Sequence, residues 1–298
     1  MPAGVPIAIA GLSKSFGAVN AVNALSFTVE PGQVTGFLGP NGAGKTTTLR
    51  ILLGLVAPTS GTATIGGAAY RDLERPLVTV GAALEAASFH PGRSARDHLA
   101  IYALAAGLDQ ARVDIVLDQV GLADYARRRV GGFSLGMRQR LGLAFALLGD
   151  PGVLVLDEPV NGLDPEGIRW IRSFLRQLAG EGRTVLVSSH LLSEVQQSVD
   201  TVVIISHGSL VYQGGLLELE TGSRVLVDAP DRAALSAALR LEGLDVQRGH
   251  GGLLVAGRTA QEVGAIAQHA GVPLSLLTVE QGGLEDAFLE LVSEKGAP

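Results

Sequence analysis

Nine residues near the start of the chain constrain the fold more than any other stretch. They lie between a strand-like run, Val34 to Leu38, and a helix-like run, Thr48 to Leu55, and fit the pattern G-x-x-x-x-G-K-[ST]. The glycines let consecutive backbone N–H groups point inward, and the helix adds its positive end. A plain glycine-rich turn does not require this order of strand, motif and helix. The sequence therefore predicts a nucleoside triphosphate site formed by Gly39, Pro40, Asn41, Gly42, Ala43, Gly44, Lys45, Thr46 and Thr47.

Individual side chains in and near this loop suit phosphate and metal chemistry. Lys45 can reach the β- and γ-phosphates, and the Thr46 hydroxyl can ligate Mg²⁺. Asp157 and Glu158 follow the apolar run Val153 to Leu156, which we expect to be a central parallel strand. Asp157 can hold Mg²⁺, usually through water, and Glu158 can accept a proton from an attacking water.

A histidine completes the predicted catalytic group. His190 follows the next predicted strand, Thr184 to Ser188, and could hold the γ-phosphate and the attacking water. Paired acids at a strand end are more often helix caps or salt-bridge partners. Beside a phosphate loop, however, the catalytic interpretation is favoured, and the predicted reaction is hydrolysis of a nucleoside triphosphate.

The composition limits the other possibilities. The chain has 298 residues, of which 47% are hydrophobic and 17% charged, enough core for one large and one small domain. It has no cysteine, and its six histidines lack metal-ligand spacing, so we expect only the Mg²⁺ that arrives with nucleotide. A formal charge of −6 argues against nucleic acid as the main partner. The N-terminus resembles no signal peptide, and no apolar run is long enough to span a membrane.

The pattern along the first two thirds of the chain predicts an α/β fold. Ile7 to Leu12 and Ala24 to Val29 alternate as antiparallel strands joined by a connection, Ser13 to Gly17. Phe16 in that connection is either a core plug or a face on which adenine stacks, and the residues alone favour the plug. Helical patterns dominate residues 86–150, which indicates a helical subdomain inserted into the α/β core. One of its helices is started by Ser94 and Asp97, spaced as a capping box, and has its apolar part from His98 to Ala106. Another follows Ser134 and is buried, as the apolar spacing from Leu141 to Leu148 indicates.

After Glu220 the pattern changes to an order resembling β-α-β-β-α-β, typical of a small ferredoxin-like α+β domain. Thr259 and Glu262 form a capping box for its second helix, and a last helix is predicted from Leu284 to Val292. We therefore expect an ATPase domain over residues 5–218 and an accessory domain over residues 221–298. The accessory domain contains no recognisable catalytic group.

Five stretches, in this order and spacing, resemble the nucleotide-binding subunit of an ATP-binding cassette (ABC) transporter. They are Gly39 to Thr47 (Walker A), Phe133 to Arg140 (signature), Val153 to Glu158 (Walker B), Asn161 to Asp164 (D-loop) and Ser188 to His190 (switch histidine). The resemblance implies a P-loop NTPase core with N-terminal antiparallel strands and an inserted helical subdomain. It also implies ATP and Mg²⁺ as cofactors.

The resemblance assigns further residues to the nucleotide site. Ser134, otherwise a plain N-cap, and Gly136 would face the γ-phosphate bound to the other subunit of a homodimer, with Asp164 nearby in the D-loop. Phe16 falls where the family keeps its adenine-stacking aromatic residue. Two departures matter: the usual L-S-G-G-Q reads Phe-Ser-Leu-Gly-Met, and Glu85 replaces the glutamine that usually contacts Mg²⁺ and water.

These departures and the appended domain resemble the bacitracin and daunorubicin resistance branch of bacterial exporters. The resemblance implies ATP hydrolysis that powers export of a drug, antibiotic or other amphipathic compound through separately encoded permease subunits. The chain would then sit at the cytoplasmic face of the cell membrane through those subunits. The alternatives are a soluble ABC ATPase acting on nucleic acid or the ribosome, and a nucleotide-binding regulator without turnover. A single Walker A motif and the acidic charge balance argue against the first, and Glu158 and His190 against the second.

Overall fold

A computed structural model describes residues 2–84, 89–192, 196–216, 224–249 and 251–280. The described residues form two compact units, one within residues 2–216 and the other within residues 224–280. No helix in the described ranges is both long and apolar enough to cross a membrane.

A mixed six-stranded sheet forms the centre of the first unit. Its strands are β3 (Val34–Leu38), β5 (Val80–Ala83), β6 (Val153–Asp157), β7 (Thr184–Ser189), β8 (Thr201–Ser206) and β9 (Ser209–Gly215). They lie in the order β5-β6-β7-β3-β8-β9, and all neighbouring pairs are parallel except β8 and β9, which form an antiparallel hairpin. Since the carboxyl ends of parallel strands meet at one edge, the segments after β3, β6 and β7 are brought together.

A second, antiparallel sheet is formed by β1 (Ile7–Phe16), β2 (Val19–Val29) and β4 (Ser60–Ile65), in the order β2-β1-β4. The predicted antiparallel pairing of the first two strands is confirmed. The predicted connection from Ser13 to Gly17 is wrong for most of its length, because β1 continues to Phe16, which pairs with Val19. Ser13, Lys14 and Ser15 are polar and partly exposed on this strand, so their sequence resembles that of a loop.

The helices of the first unit start at polar caps or at the phosphate loop. Ser94, Ser134 and Asp164 each accept a hydrogen bond from a backbone N–H of the helix that follows. The helices are α1 (Lys45–Leu52), α2 (Pro76–Thr79), α3 (Ala95–Ala105), α4 (Ala111–Gln119), α5 (Leu135–Ala146) and α6 (Pro165–Gly180), with short 3₁₀ turns at Tyr70–Asp72, Ala123–Tyr125 and Val130–Gly132.

Polar caps located two helix starts correctly. Ser134 caps α5, which begins at Leu135, and Ser94 accepts from the Asp97 N–H and caps α3, which begins at Ala95. The apolar stretch from Leu141 marks only the later, buried part of α5. Apolar periodicity misplaced the start of α1, which begins at Lys45, directly after the loop residue Gly44.

The main core of the first unit joins its two sheets and α1. It includes Phe37 from β3, Leu49 from α1, Ile65 from β4 and Val155 from β6, all buried. Phe37 lies on β3, the strand whose five residues are all buried and whose end leads into the phosphate loop. The loop therefore starts from a fully buried strand.

In the residues that the structure describes, the second unit consists of four strands and two helices. They are β10 (Arg224–Asp228), α7 (Arg232–Leu241), β11 (Val246–Gly249), β12 (Gly252–Val255), α8 (Ala260–His269) and β13 (Leu276–Glu280). The strands form an antiparallel sheet in the order β11-β12-β10-β13. The predicted capping box of Thr259 and Glu262 is confirmed. The sequence did not locate β11, and the helix predicted from Leu284 to Val292 lies outside the described residues.

Two glycines of the phosphate loop differ in how much space surrounds them. Gly42 (φ 82°) and Gly44 (φ 101°) both have backbone conformations that cost other residues about 1–2 kcal/mol. A Cβ at Gly42 would meet no atom within 4 Å, whereas a Cβ at Gly44 would collide with the Ala21 carbonyl oxygen. We predict that Gly42→Ala lowers the free energy of unfolding by about this strain alone and that Gly44→Ala lowers it further. Urea unfolding measures both, and equal losses would contradict the prediction.

Candidate functional site

The phosphate loop is held by backbone contacts on both sides. The Ala43 N–H donates to the Pro40 oxygen at 3.1 Å, and the Ala43 oxygen accepts from the Gly208 N–H at 3.0 Å. Asn41 and Gly42 are exposed, whereas Ala43 is buried and Pro40 partly buried. The loop is thus anchored through Ala43, and its Asn41-Gly42 segment faces solvent.

The Lys45 side chain lies inside this loop. The residue is only 6% exposed, and its ammonium donates to the Gly39 oxygen at 2.6 Å and to the Pro40 oxygen at 3.3 Å. It also lies 3.8 Å from the Glu158 carboxylate. Burial lowers the pKa of Lys45, and the charges of Glu158 and Asp157 offset part of that shift. The loop therefore encloses a cation beside two acids.

Asp157 connects three elements at the end of β6. The Thr46 hydroxyl, from α1, donates to one of its carboxylate oxygens at 2.9 Å, and the Ser188 hydroxyl, from β7, donates to the other in a short hydrogen bond. The pairing of β6 and β7 places Asp157 directly opposite Ser188. The carboxylate is thereby held in one orientation toward α1.

These oxygen donors fit Mg²⁺. The ion prefers oxygen ligands and is usually held by one or two protein groups together with substrate phosphates. The Thr46 hydroxyl and the Asp157 carboxylate supply such a pair beside the phosphate loop. No cluster of three or more His, Cys, Asp or Glu side chains suited to a metal occurs in the part of the chain that the structure describes.

Glu158 has a strained backbone and contacts both other predicted catalytic residues. Its φ of 49° lies in the left-handed region, and its N–H donates to the Ser188 hydroxyl at 3.0 Å. One carboxylate oxygen lies 2.9 Å from His190 Nδ1, and the other faces Lys45. The structure therefore brings together Lys45, Asp157, Glu158 and His190, which the sequence had grouped.

The signature and D-loop residues form a cluster with each other. Exposed Ser134 caps α5, and its hydroxyl accepts from the Met137 N–H at 3.2 Å. Leu135 packs closely against Gly162, so that a Cβ added at Gly162 would collide with the Leu135 side chain. The Gln139 side-chain amide donates to the Asn161 backbone oxygen at 3.2 Å. The signature helix and the D-loop therefore contact each other within one chain.

Two further predicted residues, Gly136 and Asp164, belong to this cluster. Gly136 lies beside Leu163 of the D-loop, with ordinary contact room for a Cβ. The Asp164 side chain accepts from the Gly167 N–H at 2.8 Å and caps α6. In the described part of the chain, no hydrogen bond or ion pair links Ser134 or Gly136 to Lys45.

Phe16, Thr47 and Glu85 are the remaining residues that the sequence assigned to the nucleotide site. Phe16 is 52% exposed, with the Lys14 ammonium 4.8 Å from its ring centre, so its interpretation as a core plug is wrong. An exposed ring remains compatible with stacking against adenine. Thr47 is partly buried in the first turn of α1. Glu85 lies outside the described residues, and its predicted metal contact stays a prediction.

The sequence interpretation assigned no role to the Ser188 hydroxyl. Ser188 is 0% exposed, yet its hydroxyl contacts both Asp157 and the backbone N–H of Glu158. A serine inside the apolar strand Thr184–Ser189 is a usable signal, because buried hydroxyls almost always have hydrogen-bond partners.

Comparison with known proteins decides the family. A family model described as "ABC transporter" matches residues 22–161, and a domain of unknown function (DUF8746) matches residues 223–285. The bacitracin transport ATP-binding protein of Bacillus licheniformis is 37% identical over 291 residues, covering 94% of this chain and 95% of that protein. This chain belongs to the ATP-binding subunits of ABC transporters. As a member of this family it binds and hydrolyses ATP.

Two further comparisons agree. The bacitracin transport ATP-binding protein of Enterococcus faecalis is 34% identical over 294 residues, covering 96% of both chains. A solved structure of an ATP-binding subunit of an ABC transporter superposes with a TM-score of 0.65 at 27% identity, covering 72% of this chain and 91% of that one. The ABC ATPase fold of the first unit therefore has both sequence and structural support.

Removing the Ser188 hydroxyl tests whether it positions the two acids. Ser188→Ala removes the partner of the partly buried Glu158 N–H and frees one Asp157 oxygen. We expect this loss, about 1–3 kcal/mol, to fall on the transition state and to slow hydrolysis about 5- to 160-fold. The required Mg²⁺ concentration should also rise. The control is Ser189→Ala, whose hydroxyl instead bonds the Leu191 backbone. Equal ATPase rates of the two variants would exclude this positioning role.

Proposed function

We propose that this ATPase powers export of an amphipathic antibiotic or drug-like compound through separately encoded membrane subunits. The observation that carries this proposal is similarity to two bacitracin transport ATP-binding proteins along nearly the whole chain. That similarity extends through the second unit, which a match confined to the ATPase domain would not include. The chain would then act at the cytoplasmic face of the cell membrane, held there by its permease subunits.

We assign the chemical roles as follows. The N–H groups of the phosphate loop and the Lys45 ammonium bind the triphosphate, and Thr46 and Asp157 hold Mg²⁺. When bound, Mg²⁺ neutralises phosphate charge. Glu158 accepts a proton from the attacking water, and His190 orients that carboxylate and contacts the γ-phosphate. The 2.9 Å contact between these last two residues supports this division of roles.

We further propose that the working form is a homodimer that shares its two ATP sites. Ser134 and Gly136 would act on the nucleotide bound by the partner, with Asp164 at the same boundary. Exposure of Ser134 at the start of α5, away from any bond to Lys45 in the described chain, supports this arrangement. Phe16 would stack on adenine from its exposed position, and Glu85 would lie near the metal.

The domain assignment belongs to the same proposal. We assign residues 5–218 to the ATPase domain, with its helical subdomain at about 86–150, and residues 221–298 to an accessory domain. The antiparallel order β11-β12-β10-β13 and the helix positions support a ferredoxin-like class for the accessory domain.

Glu158→Gln tests the assigned general base. The amide keeps the shape of the side chain but cannot accept the proton, so hydrolysis should fall by about 10²-fold or more while ATP binding is retained. Phosphate release and nucleotide titration measure the two quantities. Glu30→Gln, an equivalent change at an exposed acid, is the control. Unchanged turnover in Glu158→Gln would remove this residue from the mechanism.

The export proposal predicts an antibiotic phenotype. Deleting this gene in its host should lower the inhibitory concentration of at least one amphipathic peptide antibiotic, such as bacitracin. The wild-type gene should restore resistance, and the Glu158→Gln gene should not. An unchanged sensitivity profile across such compounds, with ATPase activity intact in vitro, would contradict export while leaving the family assignment in place. Copurification with nucleic acid would instead favour the alternative of a non-transport ABC ATPase.

A further inference from the structure

The second unit contains a groove of about 790 Å³ between α7 and the β11–β12 hairpin. Three arginines line it, Arg232, Arg240 and Arg248, and the rest of its described lining consists of small and apolar residues with one hydroxyl, from Ser236. No acidic side chain is part of that lining. In a chain with a formal charge of −6, this concentration of positive charge in one concavity is unexpected.

The three guanidinium groups differ in what they bind. Arg232 pairs with Asp228 through two hydrogen bonds, so its charge is largely neutralised. Among the described residues, the Arg240 side chain makes only a long contact of 3.5 Å with the Val246 oxygen. The Arg248 side chain is exposed and forms no hydrogen bond or ion pair with any other residue that the structure describes. The net positive charge of the groove therefore rests on Arg240 and Arg248.

These two arginines reach the groove from different elements. Since β10 and β11 both pair antiparallel to β12, they run in the same direction, and the intervening α7 runs the opposite way. Arg240, near the end of α7, therefore lies near Val246 at the start of β11, as their contact requires. Arg248 lies two residues further along β11, a rise of about 7 Å, on the same face of the strand as Val246.

The middle of the groove suits an apolar chain. Ala233 and Ala237 are exposed on the face of α7 that lines it, and Leu253 contributes from β12. Small side chains here leave room that longer ones would occupy. The volume also falls in the range of about 300–1,000 Å³ that is usual for small-molecule sites.

We propose that this groove binds a small molecule that carries two anionic groups. Guanidinium groups bind carboxylates and phosphates through paired hydrogen bonds, and Arg240 and Arg248 each supply one guanidinium. The shared ligand chemistry is a pair of carboxylates or phosphates joined by an apolar or polyol chain. The site lies within the second unit and does not depend on the export proposal.

Calorimetric titration of the full chain tests this site. Saturating ADP and Mg²⁺ keep the phosphate loop occupied. The probes are sebacate, with a carboxylate at each end of an alkyl chain, and fructose 1,6-bisphosphate, with two terminal phosphates. Decanoate, with one charged end, is the matched single-ended probe. We expect saturable binding of at least one double-ended probe and at least tenfold weaker binding of decanoate, since one charge-assisted contact is lost.

Substitutions test whether the probes bind in the groove or respond only to the overall charge of the unit. Arg240→Gln and Arg248→Gln should each weaken binding of the double-ended probe about tenfold or more. Arg258→Gln, at an arginine of the same unit that pairs with Glu262 outside the groove, should leave it unchanged. Ala237→Leu at an exposed position should block binding by filling the groove without removing charge. Any of four results would overturn the proposal. They are no binding of either double-ended probe, binding of decanoate as strong as that of a double-ended probe, an equal loss of binding in all arginine variants, and binding of an acidic peptide in place of both probes.

Discussion

The Asp157 carboxylate is the contact on which the rest of the ATP site depends. One oxygen accepts from Thr46 at the start of α1, and the other accepts from Ser188 at the end of β7. A single side chain thus fixes three elements that are distant in sequence, and the parallel pairing of β6 and β7 makes the contact possible. Because these same oxygens suit Mg²⁺, the carboxylate that connects the three elements is also the proposed metal ligand.

Hydrogen bonds to the Glu158 backbone connect the Asp157 contacts to the signature helix. Glu158 has a left-handed backbone conformation, which costs a non-glycine residue about 1–2 kcal/mol. Two hydrogen bonds hold it in that conformation: its N–H donates to the Ser188 hydroxyl, and its carbonyl oxygen accepts from the Asn161 N–H. Asn161 in turn accepts from Gln139 of α5. The proposed general base and the helix that would face the partner's nucleotide therefore share one set of contacts. A shift of α5 on dimerisation would reach Glu158 through two hydrogen bonds.

Local sequence predicted the parts of this site that local chemistry determines. The phosphate loop and the strand ending in Asp157 carry glycines, Lys45 and buried apolar runs that have few alternative explanations. The Ser188 contacts depend on strand register, which a single sequence does not contain. β11, with Arg248 and a terminal glycine in a four-residue strand, has too little apolar alternation to be detected. Phe16 was first interpreted as buried because aromatic residues usually pack in cores, whereas its position at the end of β1 exposes it.

The proposed sharing of sites between two copies is tested most directly by mixed dimers. Lys45 would act within its own chain and Ser134 on the partner's nucleotide. A dimer with Lys45→Ala in one chain and Ser134→Arg in the other should retain one intact site and about half of the ATPase activity, if the sites turn over independently. Both changes in the same chain, opposite a wild-type copy, should damage both sites and abolish most activity. Equal activities of the two arrangements, measured on purified heterodimers, would contradict the shared site.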